Sequence, residues 1–267
     1  MTKTTSDARA EPRWETRRGS GPVFATAVHA GHALRAEVAE LSALTPDARR
    51  REEDPLTDVL ASVGDQLFVS RASRFEVDLN RPTEEAVYRV PDDAWGLELW
   101  KSPLPEHVIE DSLAAHARFY AQMGNWLEEL IETHGQVLLL DVHSYNHRRD
   151  GADNEPMPQA DNPDIDLGLT TADRGRFGDV IDVLAETLAA GRLGEGTPDV
   201  RENVRFPDGG NWPEWVYAQY GAEVCTITLE YKKTFMEEWS GQADLARLEQ
   251  LRAGLAAAVE AVRPTLR

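Results

Sequence analysis

Short apolar runs along the chain alternate with longer stretches in which apolar residues recur every three or four positions. Runs of this length that are rich in branched and aromatic side chains are typical of buried strands. They predict strands at residues 23–28, 66–70, 75–79, 137–142, 200–206 and 224–231. The run at 137–142 gives the clearest strand signal.

The longer stretches predict helices. Their apolar spacing and the Pro and Gly residues that bound them place helices at 34–65, in several pieces, and at about 103–133, 174–190 and 244–262. Residues 146–163 are rich in Asp, Asn, Pro and Gly and predict a loop long enough to be functional. Strands that alternate with helices indicate an α/β fold with a largely parallel sheet.

One domain is expected to span residues 21–267, since no repeat or linker interrupts this pattern. Residues 1–20 are polar and charged and lack the apolar stretch of a secretory signal, so they are expected to be a disordered lead-in. No run of about 18 apolar residues occurs in the sequence. A cytoplasmic location is therefore expected.

The formal net charge of −19 bears on the partners of the protein. Nucleic acids and anionic membrane surfaces are bound through clustered Lys and Arg, so neither is an expected partner. A small-molecule substrate is expected instead, and an anionic substrate would need a local group of arginines. Cys225, the single cysteine, lies in an apolar run, which excludes a cysteine-rich metal site and predicts a buried thiol.

Three residues that could bind a metal or transfer a proton lie at the ends of predicted strands. His29 and His143 each follow an apolar run, and Glu230 ends another. In an α/β sheet, ligands bind beyond the carboxyl ends of the strands, so these side chains are expected to converge on one crevice. Imidazole is a preferred zinc ligand, and a carboxylate beside metal-bound water can act as general base. His29 and His143 are therefore candidate zinc ligands, with Glu230 as the catalytic candidate.

A catalytic zinc site needs a third protein ligand, and the sequence offers three candidates. His32 lies three residues after His29, a spacing that brings both to one ion if the turn is tight. Glu53 and Asp54 lie in an acidic run, which also suits the first turn of a helix. The spacing slightly favours His32, with Glu53 as the rival ligand.

Asn80 and Arg81 directly follow another predicted strand, and Arg74 lies near its start. An arginine binds a carboxylate through two hydrogen bonds, and an adjacent amide can fix its orientation. With Arg201, these residues are the candidates for substrate binding. An isolated Asn-Arg pair more often forms a surface salt bridge, so this prediction depends on the two histidines.

The order of these motifs resembles the N-formylglutamate amidohydrolase family over about residues 22–240. The specific pieces are Asp-Leu-Asn-Arg-Pro at 78–82 and Asp-Val-His-Ser at 141–144. The weaker pieces are His-Ala-Gly at 29–31, Leu-Gly at 167–168, Gly-Gly at 209–210, and Glu230 followed by Phe-Met at 235–236. The chain departs from the family pattern after the Gly-Gly turn, where it has no arginine, and at 232–233, where it carries two lysines.

The resemblance implies a fold similar to zinc carboxypeptidases and aspartoacylase, with a mixed, mostly parallel sheet flanked by helices. It also implies one zinc ion with His29 and His143 as ligands. In this pattern Asn80 and Arg81 would bind the substrate or its oxyanion, and Glu230 would activate water.

Together these features predict a zinc-dependent amidohydrolase that cleaves a C–N amide bond in an N-acyl amino acid or a small peptide-like amide. A carboxypeptidase-like, peptide-processing enzyme on the same fold is one alternative. A non-catalytic binding or regulatory protein that retains the fold is the other.

Overall fold

A seven-stranded sheet forms the centre of the protein. The computed structural model describes residues 13–266. The strands are β1 (Trp14–Arg17), β2 (Val23–Ala27), β3 (Gln66–Ser70), β4 (Val137–Tyr145), β5 (Ile165–Gly168), β6 (Val200–Glu202) and β7 (Val224–Lys232). Their order is β1-β3-β2-β4-β7-β5-β6. The four central strands are parallel, whereas β1 and β5 pair antiparallel with β3 and β7.

Helices flank this sheet. The α-helices are α1 (Ala36–Leu41), α2 (Pro46–Glu52), α3 (Thr57–Ala61), α4 (Glu106–His134), α5 (Arg174–Ala189), α6 (Asn211–Tyr220) and α7 (Leu245–Val262). The predicted fold, a mixed and mostly parallel sheet with flanking helices, is confirmed. Within residues 13–266, no helix combines the length and the apolar character that crossing a membrane requires.

Different helices cover the two faces of the sheet. On one face, Leu138 and Leu140 of β4 pack in a core with α3, α5 and α7. On the other face, Leu139 packs in a core with α4 and α6. Because side chains alternate along a strand, Asp141 and His143 fall on the face of Leu139, near the carboxyl end of β4. All nine residues of β4 are buried, which explains its continuous apolar signal.

The predicted strand at 75–79 is a turn instead, so this prediction is wrong. The backbone N–H groups of Glu76 and Val77 donate to the carbonyl of Ser73, at 2.9 and 3.4 Å. All five residues 75–79 are buried, but they lie outside the sheet ladder. Local hydrogen bonds therefore replace the expected pairing.

The predicted strand at 200–206 is shorter, because β6 ends at Glu202. Asn203 has a φ of 56°, in the left-handed region. The N–H groups of the next three residues, 204–206, all donate to the carboxylate of Asp166, at 3.0, 2.7 and 3.1 Å. One buried carboxylate thus turns the chain out of the sheet.

Two elements lie where the sequence predicts none. Strand β1 occupies residues 14–17, within the segment expected to be a disordered lead-in, while residues 1–12 lie outside the described part of the chain. Residues 15–17 of this edge strand are exposed, so β1 has no apolar run to reveal it. Helix α6 follows the Gly-Gly turn directly.

Candidate metal centre

Two histidine rings lie side by side at the carboxyl ends of neighbouring parallel strands. His29 follows β2 by two residues, and His143 lies near the end of β4. Their ring centroids are 4.8 Å apart and the rings meet edge to face. Both side chains are almost fully buried. The convergence expected at this edge of the sheet therefore occurs.

Asp54 completes a cluster with these histidines. Its Oδ2 lies 3.0 Å from Nδ1 of His143 and 3.5 Å from Nδ1 of His29. The backbone N–H of Asp54 also donates to the carbonyl of His29, at 3.0 Å. One ligand atom from each residue lies within 4.8 Å of the others. Among the described residues, this is the one His, Cys, Asp and Glu group close enough to hold an ion.

Each histidine ring also contacts a buried carboxylate through Nε2, the nitrogen that faces away from Asp54. Nε2 of His29 lies 2.7 Å from Oδ1 of Asp78, and Nε2 of His143 lies 2.8 Å from Oδ2 of Asp141. In the neutral ring that binds a metal, Nε2–H donates to the carboxylate and the Nδ1 lone pair faces the cluster, which makes the ring a better ligand. Asp141 also accepts a hydrogen bond of 2.6 Å from the hydroxyl of Thr26. Such outer carboxylates accompany metal-binding histidines.

The charges within the cluster depend on one another. Burial alone would raise the pKa of Asp54, but hydrogen bonds from His143 and His29 lower it well below its usual range. Burial alone would lower the pKa of His143, but the charge of Asp141 and its hydrogen bond raise it well above the ordinary value. The Asp54 carboxylate is thus kept ionised in a buried position, where a cation would be attracted.

Glu230 of β7 lies beside His143, because these two residues pair in register between β4 and β7. Its side chain is buried, and its Oε2 has no hydrogen-bond partner. Burial raises the pKa of Glu230 to about 8, a rise that Asp54 and Asp141 reinforce and that His143 opposes. Buried polar atoms in proteins are normally hydrogen-bonded, so an unpartnered carboxyl oxygen here indicates a group that meets a ligand or water.

A cavity of about 260 Å³ opens onto the cluster and Glu230. Its other lining residues include Arg74, Asn80, Arg81, Trp95, Ser144, Tyr145, Asn146, Arg149, Phe206, Gly209, Gly210 and Lys233. Cationic and aromatic side chains thus share the wall with the carboxylates and histidines. This mixture of charged, polar and aromatic groups suits a small polar molecule.

Arg74 and Arg81, two of the candidates for substrate binding, lie in different environments. Arg74 donates a hydrogen bond of 2.7 Å to Asp78, and its side chain is only 13% exposed. Arg81 is 28% exposed and is contacted more loosely, by Glu85 at 3.4 Å and by the carbonyl of Asp93 at 3.2 Å. Arg74 therefore supports the carboxylate behind His29, whereas the contacts of Arg81 with protein acceptors are longer and more exposed.

The side chain of Asn80 forms hydrogen bonds with the backbone around the Gly-Gly turn. Its Nδ2 donates to the carbonyl of Gly209 at 2.7 Å, and its Oδ1 accepts from the N–H of Trp212 at 2.9 Å. Gly210 has a φ of 99°, and a Cβ there would lie only 2.7 Å from Nδ2 of Asn80. Glycine is thus required for this close approach, and Asn80 holds the turn against the cavity.

His32, favoured on spacing as the third ligand, lies outside the cluster. Gly31 forms a parallel bridge with Ser73, which keeps this segment extended instead of tightly turned. Nδ1 of His32 instead lies 2.5 Å from Oε2 of Glu53. Because the backbone of Glu53 is extended, the side chains of Glu53 and Asp54 point in opposite directions. Of the candidates, the structure brings Asp54 to the two buried histidines.

Arg201 also lies away from the cavity. It belongs to β6, an edge strand of the sheet. Its Nε donates to Asp199 at 2.8 Å, and its Nη1 donates to the carbonyl of Ala160 at 2.6 Å. The structure therefore does not bring Arg201 to the other substrate-binding candidates, because the sheet places it beyond β5 and β7.

The carboxylates behind the histidines were not among the predicted site residues. Asp141 had a usable signal, since a residue two positions before His143 shares its face of the strand. Asp78 had none of this kind, because it follows a turn whose direction depends on tertiary packing.

Comparison with known proteins extends this picture. A sequence model of N-formylglutamate amidohydrolase matches residues 21–236. A similar fold occurs in an N-formylglutamate amidohydrolase from Ralstonia eutropha JMP134, which is 17% identical with a TM-score of 0.74 over 96% of this chain and 98% of that one. A gene product from Agrobacterium tumefaciens is 18% identical with a TM-score of 0.66, over the same shares. No curated protein sequence matches significantly.

Proposed function

The chain belongs to the N-formylglutamate amidohydrolase family, and on this premise we propose that it is a zinc-dependent enzyme that hydrolyses the amide bond of an N-acyl amino acid. Family membership supports an amide hydrolase with a small-molecule substrate. The zinc ion, the N-acyl amino acid and a cytoplasmic location belong to the proposal. The observation that carries it is the buried, unpartnered carboxyl of Glu230 beside the His29–Asp54–His143 cluster.

The donor set supports zinc as the ion. Two imidazole nitrogens and one carboxylate oxygen match the ligands of many zinc hydrolases. His29, Asp54 and His143 would hold the ion, and Asp78 and Asp141 would keep the two rings in place. Bound zinc polarises an amide carbonyl and makes a bound water more acidic.

Glu230 is the group that we assign to proton transfer. Its ionised Oε2 would accept a proton from the attacking water and then deliver it to the amine nitrogen as the C–N bond breaks. Burial holds its pKa at about 8, and a dication beside the carboxyl would favour the ionised form at lower pH.

Arg81 is the group that we assign to the carboxylate of the substrate. It lines the cavity, its contacts with protein acceptors are long, and a guanidinium can bind a carboxylate through two hydrogen bonds. Asn80 would act by holding the Gly-Gly turn, and Arg74 by supporting the carboxylate behind His29. A cavity of about 260 Å³ favours a small substrate over a long peptide.

The test is release of free amino acid from N-formyl and N-acetyl amino acids by the zinc-loaded protein, with N-formylglutamate among the substrates and dipeptides in parallel. Glu230→Gln is expected to lower kcat by about 10²- to 10⁴-fold at unchanged zinc content. Activity that survives this change would refute the assigned mechanism. Cleavage of dipeptides alone would favour a peptidase.

A matched pair of arginine variants tests the substrate assignment. Arg81→Ala is expected to raise KM for N-acyl amino acids, because it removes a charged partner of the carboxylate. Arg201→Ala removes an arginine outside the cavity and is expected to leave KM unchanged. Equal effects of the two substitutions would contradict the role of Arg81.

A further inference from the structure

Lys233 is a buried lysine at the cavity wall that the proposed reaction does not use. It is only 1% exposed and follows the end of β7. Its Nζ donates to the carbonyl of Arg51 at 2.8 Å, to the carbonyl of Glu53 at 2.7 Å and to Oδ1 of Asn146 at 3.0 Å. An ammonium group has three N–H donors, so each of them has a partner.

These acceptors lie on the segments that carry the metal centre. The carbonyl of Glu53 immediately precedes Asp54, and Asn146 lies three residues after His143. The lysine itself lies three residues after Glu230. A single ammonium thus joins the chain segments of two of the three proposed ligands, Asp54 and His143, and of the proton-transfer residue.

We propose that Lys233 is a positioning residue, whose ammonium fixes the carboxylate of Asp54 relative to His143 and Glu230. This inference rests on the proposed function. The carbonyls of Arg51 and Glu53 lie at the end of α2, where helical carbonyls lack partners within the helix. The ammonium supplies a partner to both carbonyls, a role that it shares at Arg51 with the amide of Asn146, and so helps to determine where the chain enters Asp54.

Whether replacing Lys233 weakens or tightens zinc binding distinguishes a positioning role from a purely electrostatic one. A positive ammonium close to a metal centre repels a cation. If charge were its only influence, Lys233→Met would therefore tighten zinc binding. Positioning predicts the opposite, because the substitution frees the segment that holds Asp54.

Lys232 offers a matched control. It is also buried, at 6% exposure. Its Nζ donates to the carbonyl of Asn162 at 2.9 Å and to Gln159, and it pairs with Asp164 at 2.8 Å. These acceptors belong to the loop before β5, not to the segments of the metal centre. Lys232→Met therefore removes a buried ammonium without touching the proposed role.

The experiment measures zinc affinity by competition with a chromophoric chelator, and ligand geometry by the visible spectrum of the cobalt(II) form. Lys233→Met is expected to weaken zinc binding by about 10- to 100-fold, as loss of a residue that orients metal ligands does, and to change the cobalt spectrum. Lys232→Met is expected to change neither. Lys233→Arg, which keeps the charge and can restore part of the hydrogen bonding, is expected to recover part of the affinity.

Equal or tighter zinc binding by Lys233→Met would overturn the inference, and so would equal losses in both methionine variants. If Lys233→Met does not fold, Asn146→Ala is measured in the same assay. It keeps the ammonium but removes one of its acceptors, together with the hydrogen bond of 2.9 Å that the Asn146 amide donates to the carbonyl of Arg51. Unchanged affinity and spectrum in that variant would then overturn the inference. Failure of the wild-type protein to bind zinc would instead refute the proposed function.

Discussion

Replacing Glu230 by glutamine tests how strongly burial disfavours its charge. Burial raises the pKa of this carboxyl from about 4.5 to about 8 in the folded protein. Between these pH values, the folded state holds a proton that the unfolded chain has lost. The free energy of unfolding therefore falls as the pH rises through this interval. The stability associated with the neutral Glu230 carboxyl is fully present below pH 4.5 and is lost above pH 8. The side chain of glutamine stays neutral throughout, so the variant lacks this pH dependence.

The expected magnitude follows from the width of that interval. A span of about 3.5 pH units at about 1.4 kcal/mol per unit gives about 5 kcal/mol. Other titrating groups are common to both proteins, so most of their influence cancels in the difference between wild type and Glu230→Gln. Relative to wild type, the variant should thus gain about 5 kcal/mol between the acidic and the alkaline limits. Such a change is a large part of the stability of a typical domain.

The assay is urea unfolding of the chelator-treated proteins at pH values from 5 to 9, followed by circular dichroism. The difference in free energy should grow by about 1.4 kcal/mol per pH unit up to pH 8 and then level off. With saturating zinc the dependence should flatten, because a nearby dication offsets the cost of the buried charge. A difference that stays constant across this pH range would show that the pKa of Glu230 is not raised.

Three further outcomes are expected. Asp78→Asn should weaken zinc binding by about 10- to 100-fold in a chelator competition, because it removes the carboxylate that orients His29. Glu238 has a pKa below its ordinary value: burial opposes this, but hydrogen bonds from His147 prevail. Its contribution to stability is therefore present above about pH 4.5 and is lost as the pH falls, so Glu238→Gln should flatten the acid limb of the Tm profile. Leu139→Ala should lower the unfolding free energy by about 2–5 kcal/mol in urea without changing zinc affinity.

The centre of the sheet was predictable from the sequence for a physical reason. Strands β2, β4 and β7 are buried on both faces, so they appear as continuous apolar runs. The same burial made His29 and His143 stand out, since each interrupts an apolar environment where a strand ends. Strand β1 gave no such signal because most of its side chains face solvent.

The third member of the cluster could not be predicted in this way. Asp54 lies between two short helices, and its place depends on a hydrogen bond to the carbonyl of His29 and on how those helices pack. His32 was closer along the chain, but an extended segment carried its ring towards Glu53. Distances along the sequence predict ligand sets only where local structure controls the path of the chain.

The register between β4 and β7 places a limit on insertions and deletions. His143 pairs directly with Glu230 in this ladder. One residue inserted between Val224 and Glu230 would turn the carboxyl to the opposite face of the sheet, towards α5 and α7. Two inserted residues would restore the face but displace the carboxyl by about 6.6 Å. Differences in length among proteins with this site should therefore fall in the loops, while the distance along β7 to its glutamate stays constant.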